Sequence, residues 1–167
     1  MKRLILMRHA KSSWDDERLP DRERPLSARG ERDAPRMAER LAAHGEQPTL
    51  FLSSPARRAL RTAELVAAVL KPPPGALHVE PRLYLAAPAE ILGVVGEQDD
   101  THASLIVFGH NPGFTELPNA LLPQLGLDNL PTAGVVALDC AVTSWRGVSA
   151  ATARLAYVDY PKNRAGG

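Results

Sequence analysis

Apolar runs and amphipathic stretches alternate along the whole chain, and the alternation predicts the elements. Leu4 to Met7 is a short apolar run that predicts a buried strand. The segment Ser13 to Pro25, rich in Asp, Arg and Pro, predicts a long exposed loop. Ser27 is placed to cap a helix running to about His44, with Gly45 ending it and Ala34, Met37, Ala38 and Leu41 on one face. Pro35 lies inside that pattern and is expected to bend the helix or split off its first turn. Leu50 to Leu52 predicts a second strand. A helix should follow, capped by Ser54 with Pro55 at its first position, burying Leu60, Ala63, Ala67 and Leu70 and stopping at Pro72. Leu77 to Val79 reads as a strand and Pro88 to Gly96 as a helix. Ser104 to Phe108 is a buried strand, and Gly113 to Leu122 a short helix despite Pro118. Val135 to Leu138 and Ala153 to Val158 read as closing strands. Strands alternating with helices predict an α/β fold in three layers, with helices flanking a mostly parallel central sheet.

Composition narrows this picture without changing it. The 167 residues suit one domain spanning the chain, and the Pro-Pro-Pro-Gly run after Lys71 reads as a turn rather than a domain boundary. A net charge of +1 predicts neither a nucleic-acid nor a membrane partner. The single cysteine, Cys140, excludes a disulfide within the chain and a cysteine-rich metal site, and its apolar setting predicts a buried thiol. The apolar stretch near Met1 is too short for a signal-peptide core, and no apolar run approaches membrane-spanning length, so a cytoplasmic location is expected.

The chemistry is concentrated where strands end. Arg8-His9-Ala10-Lys11 follows the first strand, Ser53-Ser54-Pro55-Ala56-Arg57-Arg58 the second, and Gly109-His110-Asn111-Pro112-Gly113 the strand at Ser104 to Phe108. If those strands are parallel, the three clusters meet at one sheet edge, beyond the carboxyl ends where ligands of such sheets bind. Two histidines among arginines suit an anion with several oxygens. Arginine grips phosphate bidentately, and helix N-termini add backbone donors. Surrounding positive charge would keep one imidazole neutral for attack on phosphorus, while a second, protonated one helps hold the oxygens. Gly109 and Gly113 would let the backbone approach the anion or simply make the turn.

These strings resemble the histidine phosphatase superfamily, which includes phosphoglycerate mutases. Leu6-Met7-Arg8-His9-Ala10-Lys11 is similar to the family's Arg-His-Gly signature. The likeness continues through Arg24-Pro25-Leu26-Ser27-Ala28-Arg29-Gly30 and Ser53-Ser54-Pro55-Ala56-Arg57-Arg58-Ala59-Leu60-Arg61-Thr62-Ala63, and ends at Gly109-His110-Asn111-Pro112-Gly113. The resemblance implies a phosphoglycerate mutase-like fold with His9 as nucleophile and Arg8, Arg58 and His110 around the phosphoryl group. Arg58 rather than Arg57 matches the second family arginine. Arg24 matches a further basic position, and Asn111 and Lys11 join it as substrate-binding candidates. Ala10 and Lys11 depart from the residues common after the motif histidine. A second departure bears on substrate. Matching the family's Arg-Leu pair to Arg82-Leu83 puts Leu85 where mutase-like branches carry a leaving-group acid, and Glu80 is the nearest substitute. The compact SixA-like phosphohistidine phosphatases are the branch this most resembles.

A missing acid favours a leaving group that departs without one. The expected function is therefore metal-independent and cofactor-free removal of phosphate from phosphohistidine on a protein, such as a histidine phosphotransfer domain. The alternatives are a phosphomonoesterase acting on a sugar or nucleotide phosphate, and a phospho-ligand binding module without turnover. A two-histidine metal hydrolase is weaker, because no Asp or Glu directly follows either histidine. Arg57 and Arg61 are expected to be solvated helix charges or surface ion pairs. His44, His78 and His102 are read as surface or structural, Asp99-Asp100 as a solvated loop, and Trp145 as packing. Trp14 either packs or lines the entrance.

Overall fold

The computed structural model describes residues 1–163. Six strands form one sheet in the order β3-β2-β4-β1-β5-β6: β1 Lys2–Arg8, β2 Leu50–Ser53, β3 Leu77–Val79, β4 Ser104–Gly109, β5 Val135–Cys140 and β6 Ala153–Asp159. β1, β2, β3 and β4 are linked by parallel ladders, and β5 pairs antiparallel with both β1 and β6. Among the described residues four α-helices flank the sheet: α1 Ala28–Ala43, α2 Arg57–Leu70, α3 Pro88–Gly96 and α4 Gly113–Leu121. The mixed α/β class and the mostly parallel sheet match the sequence pattern.

Leu4 to Met7 are fully buried because β1 lies between β4 and β5 and is covered on both faces. Alternate residues supply the two cores. Ile5, Met7, Phe51, Ile106 and Phe108 pack with Met37, Ala38 and Leu41 of α1 and Ala63 and Val66 of α2. Leu4, Leu6, Leu105 and Val107 pack on the other face with Ile91 and Val95 of α3, Phe114 and Leu117 of α4, and Trp145. Each leucine, isoleucine, valine, methionine or phenylalanine among them contributes about 1.5–3 kcal/mol when fully buried. The sheet is thus a rigid platform, and its carboxyl edge inherits that rigidity. No helix among the described residues is long and apolar enough to cross a membrane.

The helix boundaries teach more than the strands. Ser27 caps α1 as expected, its hydroxyl accepting from the Gly30 N–H at 3.1 Å. α1 continues through half-buried Pro35, so its first turn is not split off. α4 likewise runs through Pro118. Ser54 does not cap α2: the cap is Ala56, and the helix starts at Arg57. Nor is the buried face of α2 the one its apolar spacing suggests. Arg58, Ala59, Thr62, Ala63 and Val66 point inward, whereas Leu60, Ala67 and Leu70 are only half-buried. The helix is turned to deliver an arginine and a threonine to the sheet edge, and Ser54 is freed from capping for the same purpose. The Ser13–Pro25 loop is less loose than its composition suggests. A bridge joins Ser12 to Leu26, a 3-10 turn spans Asp21–Glu23, and Arg24 is buried.

Candidate active site

Register brings the two histidines together. Arg8 at the end of β1 pairs with Gly109 at the end of β4, so His9 and His110 leave neighbouring parallel strands at the same level. Their ring centres lie 5.3 Å apart. β2 joins from the other side of β4, with Ser53 paired to Phe108, which puts Ser54 beside His110. The three motif clusters therefore meet at one edge. They surround a cavity of about 240 Å3 lined by Arg8, His9, Lys11, Ser12, Trp14, Arg24, Arg58, Leu85, His110, Asn111 and Thr132. A larger depression beside Met1 and Ala141 to Ser144 has no charged side chain in its lining.

His9 is held in one orientation. Its Nδ1 lies 2.7 Å from the Ala10 carbonyl, which accepts only, so Nδ1 carries the proton and donates it. The lone pair is then on Nε2, which makes no hydrogen bond among the described residues. The Ala10 peptide is itself pinned, its N–H donating to Thr62 Oγ1 at 3.0 Å while Thr62 donates to the Arg58 carbonyl at 2.7 Å. Burial is the main cause that lowers the His9 pKa to about 3; the Ala10 bond opposes it, and His110, Arg58 and Arg8 add to it. Its imidazole is neutral at physiological pH.

His110 sits between Ser54 and Arg58. Its Nδ1 faces Arg58 Nη2 at 3.4 Å, and a guanidinium only donates, so Nδ1 accepts and Nε2–H donates to Ser54 Oγ at 2.7 Å. Burial first, then the Arg58 charge, lower its pKa to about 4, with Asp21 pulling the other way. Here the site differs from the sequence expectation of one neutral and one protonated imidazole: in the free protein both are neutral. A bound dianion would reverse much of the arginine charge felt by His110 and raise its affinity for a proton.

The arginines are poised unequally. Arg58 is 3% exposed, and Arg57 beside it is exposed, so the fold brings the matched arginine to the cavity. Arg8 Nη1 donates to the Leu130 carbonyl at 3.0 Å. Arg8 Nε and Arg58 Nε are buried and have no hydrogen-bond partner among the described residues. Such orphan donors cost about 1–3 kcal/mol each. Arg24 donates to Ser12 Oγ at 2.7 Å, and its guanidinium lies 3.6 Å from the ring centre of Trp14, which is 67% exposed. Trp14 therefore both packs on an arginine and lines the entrance.

The remaining candidates divide between the cavity and the scaffold around it. Lys11 is exposed at the rim. Asn111 lines the cavity, but its amide is committed: Nδ2 donates to Asn129 and to the Leu130 carbonyl, and Oδ1 accepts from Thr115. It thereby braces the loop whose carbonyl holds Arg8. Gly109 and Gly113 are needed for packing. A Cβ at Gly109 would lie 2.6 Å from the Phe114 ring, and one at Gly113 2.2 Å from the Ala86 carbonyl. Glu80 is outside the cavity lining; the bond from Arg82 Nε is the leading cause holding its carboxyl below the ordinary range, so it is a poor proton donor. Arg61 pairs with Glu31 across α1 and α2 at the surface. His44 stacks on Tyr157, while the His102 carbonyl accepts from Trp145 Nε1 at 3.0 Å and its ring Nδ1 meets Thr49 Oγ1 at 2.7 Å. Cys140 is buried, with its thiol pushed up to about 11 by desolvation.

The residues that sequence reasoning missed are Thr62, Asp21 and Tyr84. Asp21 accepts from Arg24 Nη2 at 3.1 Å, from Arg58 Nη2 at 3.0 Å and from the Tyr84 hydroxyl. The one available signal was its opposite charge three residues before Arg24. Thr62 stands inside the family-like stretch that begins at Ser53, four residues after Arg58, where a helical threonine reaches back to a carbonyl. Nothing in the sequence marks Tyr84.

The arrangement, a cationic pocket around paired neutral imidazoles at the carboxyl edge of a mostly parallel sheet, suits a group with several anionic oxygens. The model of the histidine phosphatase superfamily (branch 1) matches residues 4–84, which include Arg8, His9, Arg24 and Arg58. The chain belongs to that superfamily. It is 32% identical over 165 residues to an uncharacterised protein of Mycobacterium tuberculosis, covering 93% of this chain and all of that one. It is 37% identical over 128 residues to an uncharacterised chloroplastic protein of Arabidopsis thaliana, covering 72% of this chain but only 59% of that relative's length. Among solved structures, the fold matches a protein of Nakamurella multipartitia described as the phosphohistidine phosphatase SixA, with a TM-score of 0.83, 23% identity and 97% of both chains covered. A protein histidine phosphatase SixA complexed with tungstate matches with a TM-score of 0.76 and 23% identity over 95% of this chain and 97% of that one. A mycobacterial glucosyl-3-phosphoglycerate phosphatase matches at 0.69 and 19% over 94% and 98%. These likenesses speak for the fold.

Proposed function

We propose that this protein removes phosphate from phosphohistidine on a partner protein, through a phosphorylated His9 and without a metal ion. The observation that carries the reading is an oriented neutral imidazole sharing a cavity with Arg8, Arg58 and a second histidine, with no carboxylate in its lining. In the first step His9 Nε2 attacks phosphorus, forming a P–N bond as the bond from phosphorus to the substrate imidazole breaks. The departing ring leaves neutral when its other nitrogen carries a proton, so one P–N bond is exchanged for another of similar energy. No dedicated acid is needed, which agrees with Leu85 and not a carboxylate facing the cavity. In the second step water attacks the phosphorus, phosphate departs, and His9 returns to the neutral form with its proton on Nδ1. Arg8 and Arg58 stabilise the charge on the transferring group, and such electrostatic stabilisation dominates the rate enhancement in phosphoryl transfer.

Size supports the same reading. A cavity of about 240 Å3 takes a phosphoryl group and the ring it leaves, with the bulk of the partner outside. Exposed Trp14 and Leu85 at the rim suit contact with a protein surface. The donor set of arginine, histidine, lysine and hydroxyl groups also suits an anion far better than a divalent cation.

The test is phosphate release, with chelator present, from a phosphorylated histidine phosphotransfer domain and from para-nitrophenyl phosphate. Chelator-resistant release from the phosphohistidine protein, lost in His9→Ala, is expected. Release from the ester alone would move the substrate to small phosphomonoesters. Phosphate binding without release from either would make the protein a binding module.

A further inference from the structure

The Ser13–Pro25 loop returns one side chain to the arginines of the cavity. Asp21 Oδ1 accepts from Arg24 Nε at 3.3 Å and Nη2 at 3.1 Å. Its Oδ2 accepts from Arg58 Nη2 at 3.0 Å and from the Tyr84 hydroxyl, and its backbone carbonyl takes Arg58 Nη1 at 2.7 Å. Both outer nitrogens of Arg58 thus end on this one residue. The same Nη2 lies 3.4 Å from His110 Nδ1, so the carboxylate is linked through Arg58 to the second histidine.

The exposure of the pair is uneven. Arg58 is 3% exposed at its side chain and Asp21 44%. The arginine is fixed beneath the cavity, while the carboxylate sits on a surface turn. Burial acts to raise the Asp21 carboxyl's pKa, but the bonds from Tyr84, Arg58 and Arg24 outweigh it and hold the group ionised well below the ordinary carboxylate range. Asp21 is therefore a permanent negative charge one guanidinium away from where the phosphoryl group binds. The groups facing His110 are Arg58, Arg8, Arg24, His9, the edge of the Tyr84 ring and Asp21, and of these Asp21 alone is negative.

We propose that Asp21 is a positioning residue that fixes Arg58 against His110 and holds Arg24, and that its charge opposes phosphate in the ground state. This rests on the phosphatase reading, because it takes the cavity to be the phosphoryl site. The two effects have opposite signs. A carboxylate beside the arginines weakens binding of a free anion. The same carboxylate keeps the donors preorganised for the transferring group, where misplacement is costly.

The test uses the full chain with Asp21→Asn, which keeps the shape of the residue and removes its charge. Three quantities are measured: inorganic phosphate binding by calorimetry, the His110 ring titration by NMR, and turnover of the phosphohistidine protein. The expected result is phosphate bound about three- to tenfold more tightly, a His110 midpoint moved to lower pH, and kcat reduced roughly tenfold or more. Asp21→Glu should recover part of each change, and Asp21→Ser gives the same readout should the amide disturb the turn. A residue that merely tethered the loop would give weaker phosphate binding and an unmoved His110 midpoint, and that outcome overturns the proposal. If wild type binds phosphate and Asp21→Asn binds it more tightly, but wild type turns over no phosphorylated substrate, the Asp21 assignment stands on binding and the phosphatase reading fails.

Discussion

Arg58–Asp21 and Arg40–Asp159 are both arginine–aspartate pairs, and they are built in opposite ways. Arg40 Nη1 donates to Asp159 Oδ1 at 3.0 Å and to the Tyr160 carbonyl at 2.8 Å, and Nη2 reaches the Pro161 carbonyl at 3.3 Å. Its carboxylate is buried, 3% exposed, and its arginine lies nearer the surface at 19%. That pair clasps the end of β6 to α1. In the other pair the arginine is the buried partner, its Nε has no protein acceptor among the described residues, and the carboxylate lies outside on a turn. The structural pair buries its carboxylate and leaves its arginine nearer the surface, whereas the pair at the cavity buries its arginine. That asymmetry, and not the presence of an ion pair, distinguishes the two regions.

The comparison breaks most visibly at His9. His9→Ala should lower turnover at least a thousandfold while leaving the fold intact, as measured by single-turnover phosphate release together with thermal unfolding. Next, Arg58→Ala should lower kcat/KM by about 10²–10³. Arg40→Ala should instead cost about 2–4 kcal/mol of stability, because it takes the guanidinium away from a buried carboxylate, with activity per folded molecule unchanged. Denaturant melts and active-site titration of the two variants separate these outcomes. If Arg40→Ala lost activity while remaining folded, the division between the pairs would be wrong.

A third prediction concerns acid. His9 and His110 titrate at about 3 and about 4 in the folded protein against 6.5 when unfolded. Between those limits the unfolded chain binds protons that the folded chain does not, so stability falls as pH drops from about 6.5 toward 4 and below. The loss should reach a few kcal/mol in order of magnitude. His9→Gln should flatten the curve in that window, checked by urea unfolding at pH 7, 5 and 4; an unchanged slope would mean that His9 is not held neutral by burial. The smallest effect is expected at the rim. Trp14→Ala should raise KM for the phosphohistidine protein a few-fold and leave kcat nearly unchanged, since an exposed aromatic over an arginine contributes about 0.5–1 kcal/mol.

Much of this was legible in the sequence wherever local pattern and tertiary need agree. β1 and β4 are continuous apolar runs because both of their faces are buried, and the polar clusters directly after them reach the sheet edge once the strands are parallel. Legibility failed where the site overrode local preference. Ser54 has the composition of a cap, yet its hydroxyl is needed by His110, and α2 starts two residues past Pro55. The apolar spacing of Leu60, Ala67 and Leu70 pointed to a face that the helix half-exposes in order to bury Arg58 and Thr62. Asp21 lay hidden in a loop whose acids look alike in sequence. Only the fold separates the one that meets two arginines of the cavity from Asp15 and Asp16, which face neither.

The central claim is a covalent one, that phosphate passes through His9. The most direct measurement is rapid quenching into alkali of the protein mixed with a radiolabelled phosphohistidine partner, followed by peptide mapping. Label is predicted on the peptide containing His9, stable in alkali, lost in mild acid and absent in His9→Ala. Turnover by His9→Ala at the wild-type rate, or label stable to acid on another residue, would contradict the account.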